Sequence, residues 1–239
     1  MTHILAIDTS TAWCSVALSL ADQSVCRHEK VSAGASQLLL PWVDELLQEQ
    51  SLTLTDVDAV AIGIGPGAFT GVRLGVAVVQ GLAFAKKLPV LPVASLDAIA
   101  SQLVLTPHFL ESQSHIFMVA VDARMGEVYW ARYQVQTNVL PQRLGDIQLS
   151  TPELVELDGI EYLAGSAINE FGERLLGAQD ACLSDARLNR VIGVDALGVL
   201  ACAQQMWAQG LQLDVHLLEP LYVRNKVAFT AQERSQQHG

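Results

Sequence analysis

The chain has few basic residues and no cluster of them. Its 239 residues include 14 lysines and arginines against 25 aspartates and glutamates, which gives a formal net charge of -11 and a pI near 4.8. The one adjacent basic pair, Lys86-Lys87, closes a predicted helix. Proteins that bind nucleic acid or anionic membranes by themselves usually carry a basic patch. The composition therefore argues against direct, autonomous binding to either.

Sequence patterns of metal sites and of common hydrolases are also missing. The six histidines form no H-x-x-x-H or H-E-x-x-H pair, the four cysteines form no C-x-x-C pair, and no G-x-S-x-G occurs. The chain reaches Asp8 after a short apolar run, so we expect no signal peptide and a cytoplasmic location. The longest apolar stretch, 72–85, contains Arg73 and Gln80 and is predicted to be too short to cross a membrane.

Hydrophobic periodicity predicts an α/β protein with mixed sheets flanked by helices. Three strand-like runs open the chain and are typical of an antiparallel meander: 3–8, 13–20 and 25–31. A helix is predicted from Ser36, and helices and strands then alternate. The polar segment 106–114 has no periodicity, so we place there the boundary between an N-terminal subdomain, 1–105, and a C-terminal subdomain, 106–239. A last extended segment, 217–229, is predicted to return toward the N-terminal subdomain.

The openings of the two halves repeat each other. A shift of 114 residues places Ile-Leu-Ala-Ile-Asp, ending at Asp8, over Met-Val-Ala-Val-Asp, ending at Asp122. Four turn residues follow each aspartate before a second strand begins at Trp13 or Glu127. Such a repeat indicates a duplicated fold. Two facing hairpins of this kind can hold the phosphates of a nucleotide through backbone N–H groups and Mg²⁺ through the carboxylates.

The two turns differ in a way that matters for such a site. Asp8 is followed by the small residues Thr9 and Ser10, which would let the backbone approach a phosphate. After Asp122 come Arg124 and Met125, which are bulky where a phosphate would need room. We therefore interpret Asp8, Thr9, Ser10 and Asp122 as vestigial nucleotide-site positions. A kinase or ATPase that uses both aspartates around Mg²⁺ remains the alternative. An aspartic peptidase is not expected, because the second turn lacks a hydroxyl.

A glycine-rich loop, 63–73, joins a predicted strand to a predicted helix. It contains G-x-G-x-x-A, a weak dinucleotide pattern, but Pro66 removes a backbone donor and no Gly-Lys-Ser/Thr follows. Close approach of the loop to a neighbouring strand is the favoured interpretation of its glycines. An anion or partner contact, with Thr70 capping the helix and Arg73 exposed, is the other.

The helix after this loop, 72–87, has hardly any polar face, so it should be buried on every side. In a protein of this size such burial suits a helix that packs on its own sheet and on another subunit. The predicted partner interface comprises residues of this helix and of the helix from Ser36: Leu38, Trp42, Leu46, Arg73, Leu74, Gly75, Val78, Val79 and Leu82.

Four segments together resemble the bacterial TsaB (YeaZ) family, and the resemblance extends over most of the chain. They are Ile-Leu-Ala-Ile-Asp-Thr-Ser at 4–10, Gly-Pro-Gly-Ala-Phe-Thr-Gly-Val-Arg at 65–73, Asp-Ala-Arg-Met-Gly-Glu-Val-Tyr at 122–129 and Glu-Pro-Leu-Tyr-Val-Arg-Asn at 219–225. The resemblance implies a duplicated actin-like fold of the ASKHA, ribonuclease H-like type. It also implies a role in making N6-threonylcarbamoyladenosine beside the anticodon of tRNAs that read codons beginning with A.

The same resemblance implies a set of partners and a division of labour. TsaD, the paralogue that transfers the threonylcarbamoyl group, would bind this chain, and the ATPase TsaE would join them. ATP and metal would be used by those subunits, and tRNA would be reached only through the complex. The chain itself would be a non-catalytic scaffold with no cofactor of its own. A homodimer through the N-terminal helices is implied as well.

Overall fold

Two five-stranded mixed sheets with the same strand order form the framework of the structure, a computed structural model that describes residues 2–21, 23–31, 34–137, 139–177 and 183–223. The N-terminal sheet has the order β3-β2-β1-β4-β5, with β1 (Ile4–Asp8), β2 (Trp13–Ser19), β3 (Ser24–Lys30), β4 (Ala59–Gly63) and β5 (Val90–Val93). The C-terminal sheet has the order β8-β7-β6-β9-β10, with β6 (Ile116–Asp122), β7 (Val128–Gln134), β8 (Gln142–Ser150), β9 (Tyr162–Ala164) and β10 (Leu188–Asn189).

The two sheets confirm the duplication that the sequence repeat predicted. Each central strand, β1 or β6, pairs antiparallel with the next strand of its hairpin and parallel with a later strand, β4 or β9. Asp8 ends β1 and Asp122 ends β6, at equivalent places in the two sheets. Every residue of β1 is buried, because both faces of this central strand are covered. The fold is the predicted duplicated α/β fold.

Helices cover both sheets in layers. Their bounds are α1 (Ala35–Glu49), α2 (Phe69–Lys86), α3 (Ser95–Leu103), α4 (Pro107–Ser112), α5 (Ala167–Leu176) and α6 (Ala196–Ala208). The first two pack on the outer face of the N-terminal sheet, and α5 packs on the outer face of the C-terminal sheet. Between the two sheets lie α3 and α6, whose apolar residues join one central core. Helices α1 and α2 thus cover the outer face of the N-terminal sheet and form the surface of the protein on that side.

Helix α6 ties the two halves together. Asp195 caps it by accepting a hydrogen bond from the backbone N–H of Gly198 at 2.9 Å. The N–H of Ala196 donates to the hydroxyl of Ser15 in β2 at 2.8 Å. Gly198 packs against the carbonyl of Ala98 in α3 so closely that a Cβ would overlap it. A helix from the second half of the sequence is therefore built into the first.

The segment 106–114 is not the irregular linker that its composition predicts. It contains α4, which begins with Pro107 as its first residue. The hydroxyl of Thr106 accepts a hydrogen bond from the N–H of Phe109 at 3.4 Å, and Phe109 is buried. The helix is too short to show a hydrophobic period, which is why the sequence pattern missed it.

Residues 213–222, which we call the C-terminal strap, lie along the N-terminal half. Leu213 and Val90 exchange two backbone hydrogen bonds, of 2.8 and 2.9 Å. The side-chain amide of Gln80 in α2 donates to the carbonyl of Leu218 at 3.0 Å, and the N–H of Leu221 donates to the carbonyl of Ile64 at 2.8 Å. The predicted extended segment 217–229 continues beyond the described residues, as do Arg224 and Asn225 of the fourth segment.

By length and composition alone, α2 resembles a membrane-spanning helix, with 18 residues and a mean hydropathy of 1.2. It is longer than the 72–85 stretch, because Phe69, Thr70, Gly71 and Lys86 are helical too. Its inner residues belong to the core on the outer face of the N-terminal sheet: Val72, Val76, Val79 and Ala83. A core helix of this composition passes the same test, so the hydropathy carries no argument for a membrane by itself.

Candidate functional site

The glycine-rich loop closes over the turn that follows β1. Four glycines at intervals of four residues face this turn: Gly63, Gly67, Gly71 and Gly75. A Cβ at any of them would collide with atoms of the turn, in order the Asp8 carboxylate, Ser10, the Thr9 carbonyl and the Thr9 hydroxyl. The N–H of Ala68 also donates to the carbonyl of Ser10 at 2.6 Å. The glycines therefore allow close backbone approach, the favoured interpretation of the loop.

Asp8 is buried beneath this loop. It is 1% exposed, and its carboxylate accepts hydrogen bonds from the N–H and the hydroxyl of Ser10 at 3.0 to 3.1 Å. Burial raises the pKa of Asp8 from near 3.8 to about 7, against the lowering effect of the two donors of Ser10. Burial likewise raises the pKa of the neighbouring Cys14 thiol to about 11. The turn holds neither an accessible carboxylate nor an activated thiol.

The first turn is therefore less open than its small residues predict. Thr9 and Ser10 are 2% and 1% exposed, and the hydroxyl of Thr9 donates to the carbonyl of Gly71 at 2.7 Å. This burial weighs against the expectation that a phosphate could approach Asp8, which stays a prediction. The Thr9 hydroxyl and the Ser10 carbonyl bond the glycine-rich loop, and the N–H and hydroxyl of Ser10 bond the Asp8 carboxylate.

The second turn is closed by its own side chains. Arg124, Met125 and Gly126 have φ angles of 62°, 57° and 76°, so three consecutive residues are left-handed. The Asp122 carboxylate accepts a hydrogen bond from the N–H of Arg124 at 2.7 Å and forms an ion pair with its guanidinium at 3.1 Å. A cation from the chain itself thus neutralises the carboxylate at the place where the nucleotide hypothesis would put a metal ion.

A cleft of about 570 Å³ lies between the two turns. Both halves line it, with apolar and polar residues that include Trp13, Ile99, Tyr129, Asn169, Arg190 and Val194. A nucleotide would be expected there, where two duplicated hairpins face each other. The cleft is retained, but Asp8 is covered and Asp122 is paired. Among the described residues, no three histidine, cysteine or acidic side chains are grouped so that they could hold a metal ion.

The cleft is not the largest concavity. A groove of about 790 Å³ lies where α3, α4, α6 and β7 meet, and its lining is apolar apart from three glutamines. Because no titratable side chain lines this groove within the described part of the chain, its size carries no argument for chemistry there.

The predicted partner interface divides into a buried half and an exposed half. Trp42, Leu46, Gly75 and Val79 face the protein's own sheet and belong to its core. The prediction that these four residues contact a partner is wrong. They are buried inside their own chain and are not accessible to another subunit. The other five residues of the predicted interface are partly or fully exposed: Leu38, Arg73, Leu74, Val78 and Leu82.

The sequence prediction missed the residues that dominate the outer face of α2. Phe69 and Phe84 are 43% and 65% exposed, and Ala77 is exposed between them. Tyr222 of the C-terminal strap packs beside Phe69, with ring centroids 6.1 Å apart. We call these residues with Arg73 the α2 face. Phe69 and Tyr222, the two aromatic residues near Arg73, lie in segments that carry the family resemblance. Their place in these segments was the sequence feature that could have identified them as part of an interface.

Comparison with known proteins gives a consistent result. The family model described as TsaD, tRNA N6-adenosine threonylcarbamoyltransferase, matches residues 29–184. The tRNA threonylcarbamoyladenosine biosynthesis protein TsaB of Escherichia coli is 36% identical over 95% of this chain and 96% of its own length. The TsaB protein of Haemophilus influenzae is 33% identical over 95% of each chain.

Solved structures agree with the sequence matches. YeaZ from Pseudomonas aeruginosa superposes with a TM-score of 0.81 and 36% identity, over 93% of this chain and 100% of that one. A second Pseudomonas aeruginosa structure, described as similar to peptidase YEAZ, has a TM-score of 0.83 and 35% identity, over 94% of this chain and 100% of that one. On these matches along nearly its whole length, the chain belongs to the TsaB (YeaZ) family.

Proposed function

We propose that this chain is a non-catalytic subunit required to form N6-threonylcarbamoyladenosine on the adenosine beside the anticodon of tRNAs that read codons beginning with A. It binds the paralogous transferase TsaD, with TsaE joining the complex in the cytoplasm. The observation that carries this proposal is the pair of closed turns. Asp8 is 1% exposed, and Asp122, which lines the cleft, is paired with Arg124, so the two aspartates do not form a pair of free carboxylates.

The α2 face supports the proposal that the chain works through a partner. Phe69 and Phe84 expose large apolar side chains on one helix, with Ala77 between them. Exposed apolar surface of this kind is typical of protein–protein interfaces, where aromatic residues and arginine are enriched. We propose that the homodimer uses the same α2 face, so that binding of TsaD and formation of the homodimer exclude each other.

The acidic surface supports the proposal that tRNA is reached only through the complex. With a formal net charge of -11, the chain repels a polyanion at long range. ATP and metal are accordingly proposed to bind the partner subunits, and this chain is proposed to bind no cofactor of its own.

Reconstitution of the tRNA modification tests the proposed function. Purified TsaC, TsaD, TsaE, tRNA and substrates would be assayed with and without this chain. We expect modification to require the chain, and an equal rate without it would refute the proposal.

A pair of variants tests whether the α2 face is the surface in use. Ala77→Glu places a charge on the α2 face, whereas Ala208→Glu places it at the exposed end of α6. We expect the first to abolish binding to TsaD and modification, and the second to preserve both. Equal behaviour of the two folded variants would place the contact elsewhere.

One observation supports the alternative function, a small-molecule kinase or ATPase: the cleft between the duplicated turns. Calorimetry with ATP and Mg²⁺ distinguishes the two functions. Micromolar binding that Asp8→Asn abolishes would support the enzyme. We expect no such binding, because the glycine-rich loop covers Asp8.

A further inference from the structure

Arg73 is exposed but held in one orientation by two aromatic rings. Its Nε donates a hydrogen bond to the hydroxyl of Tyr222 at 2.9 Å. Its guanidinium carbon lies 3.8 Å from the ring centroid of Phe69 and 5.8 Å from that of Tyr222. Stacking of this kind suits the planar guanidinium and restricts a side chain that is otherwise among the most flexible. Arg73 is thus pre-organised before any partner arrives.

The arrangement leaves binding capacity on the guanidinium. Within the described residues, Tyr222 is the one hydrogen-bond partner of Arg73, and Arg73 forms no ion pair. A guanidinium has five N–H groups, of which this bond uses the one on Nε. The two Nη groups form the end of the fork that binds a carboxylate with two parallel hydrogen bonds.

A small groove runs beside Arg73, between α2 and the C-terminal strap. Its volume is about 360 Å³, and the buried side chains of Val76 and Leu218 contribute to its floor. Arg73 lies on its border together with His216, whose ring packs edge-on against Phe84 at 5.8 Å. An apolar floor beside a fixed cation suits a protein side chain that combines methylene groups with a charged end.

We propose that Arg73 binds a carboxylate of the partner subunit, and that Tyr222 is the positioning residue that fixes the guanidinium for this contact. The inference rests on the proposed function, because the partner is TsaD. It assigns a purpose to the segment that carries Tyr222, which lies 149 residues from Arg73 in sequence. The strap contributes to the interface as well as α2.

Charge favours a carboxylate over a tRNA phosphate at this position. Helix α2 contains no acidic residue, and the acidic side chain that lines the groove beside Arg73 is Glu219 of the C-terminal strap, which opposes a carboxylate and a phosphate alike. A tRNA would bring many phosphates toward a protein of net charge -11, whereas the partner would bring one carboxylate to Arg73. The ring of Phe69 and the apolar side chains of Val76 and Leu218 suit the methylene groups of a protein side chain better than a nucleic acid backbone.

Binding of TsaD to a small set of full-length variants tests this proposal. Arg73→Gln should weaken binding roughly tenfold to a hundredfold, because a buried carboxylate of the partner loses its cation. Arg73→Lys should restore little of the loss, since an ammonium group has no fork. Tyr222→Phe, which keeps the ring and removes the hydroxyl, should weaken binding about two- to tenfold. Lys86→Gln, at the end of the same helix, is the matched control and should bind as the wild type does.

Two further measurements separate positioning from a general structural effect. Tyr222→Phe should have no additional effect in the Arg73→Gln background, because the hydroxyl acts through the guanidinium. The wild-type affinity should fall with added salt more steeply than that of Arg73→Gln. Additive effects or equal salt dependence would overturn the positioning role of Tyr222 or the ionic contact, respectively.

The outcomes also separate this inference from the proposed function. If the wild type binds TsaD and the folded Arg73 and Tyr222 variants bind equally well, the inference is overturned and the proposed function stands. If the wild type does not bind TsaD, the proposed function fails and the inference fails with it. Binding of the isolated chain to tRNA that Arg73→Gln removes would show a phosphate contact and overturn the carboxylate assignment.

Discussion

The hydroxyl of Thr9 donates a hydrogen bond to the carbonyl of Gly71 at 2.7 Å, while the carbonyl of Thr9 occupies the space where a Cβ on residue 71 would stand. The turn after β1 and the first turn of α2 are therefore in direct backbone contact. This contact joins the end of the central strand to the helix that carries the α2 face. It also covers the turn that a phosphate would have to reach.

Replacing Gly71 with alanine should destabilise the protein. The new methyl group would meet the Thr9 backbone, which cannot move aside as a flexible side chain can, so we expect a loss of about 1–3 kcal/mol in the free energy of unfolding. Gly81→Ala in the same helix is the control. Residue 81 is exposed with open space around it, so Gly81→Ala should increase the free energy of unfolding by about 0.5–1 kcal/mol. Urea unfolding measures both, and equal effects would contradict the close contact.

Asp8 should make the stability of the protein depend on pH. Its folded-state pKa is raised to about 7, above the ordinary value near 3.8, so the folded state binds more protons than the unfolded state between these values. Stability from this group is present below about pH 4 and is lost as the pH rises to about 7, with a slope approaching 1.4 kcal/mol per unit.

The variant Asp8→Asn tests this pH dependence. Its free energy of unfolding relative to the wild type should increase between about pH 4 and 7, because asparagine has no carboxyl to ionise. Ser36→Ala, at an exposed position of α1, removes no titratable group and should give a difference that is flat over the same range. A flat difference for Asp8→Asn would show that its pKa is not raised.

Replacing Ser15 with alanine should weaken the link between the two halves. The Ser15 hydroxyl accepts the N–H of Ala196 at the start of α6, and both residues are fully buried. Without the hydroxyl this N–H has no acceptor, so we expect a loss of about 1–3 kcal/mol. Ser36→Ala, at an exposed position of α1, should change stability by less than about 0.5 kcal/mol. The unfolding transitions of Ser15→Ala measured by fluorescence and by circular dichroism should coincide. If Ser15→Ala loses no more free energy of unfolding than Ser36→Ala, this link does not stabilise the protein.

Local patterns in the sequence were enough for the strands that open each half, for helix α1 and for the duplication. The repeat at 114 residues predicted equivalent strands ending at Asp8 and Asp122, and the structure places them so. Helical spacing predicted α1, and its apolar positions are buried as a stripe. The boundaries of α4 were not predicted, because its six residues are capped locally and carry no period.

The composition of α2 could not show which of its apolar side chains face outward. Val79 packs on the N-terminal sheet, whereas Phe69 and Phe84 are exposed, although all three are apolar. A helix that is apolar all round gives no moment to orient it, so the sheet beneath it decides. For this reason the residue-level interface prediction was partly wrong, while the interface itself stays a proposal.

The sequence by itself determined the two sheets, the closed second turn beside Arg124 and the family, because these depend on local patterns and on residue identity. Tertiary structure alone decided that the loop of glycines buries Asp8 and that Tyr222 fixes Arg73. Both depend on contacts between residues more than fifty positions apart. Such contacts arise from the packing of strands and helices. The glycines predicted that the loop approaches a strand, but not which residue it would bury.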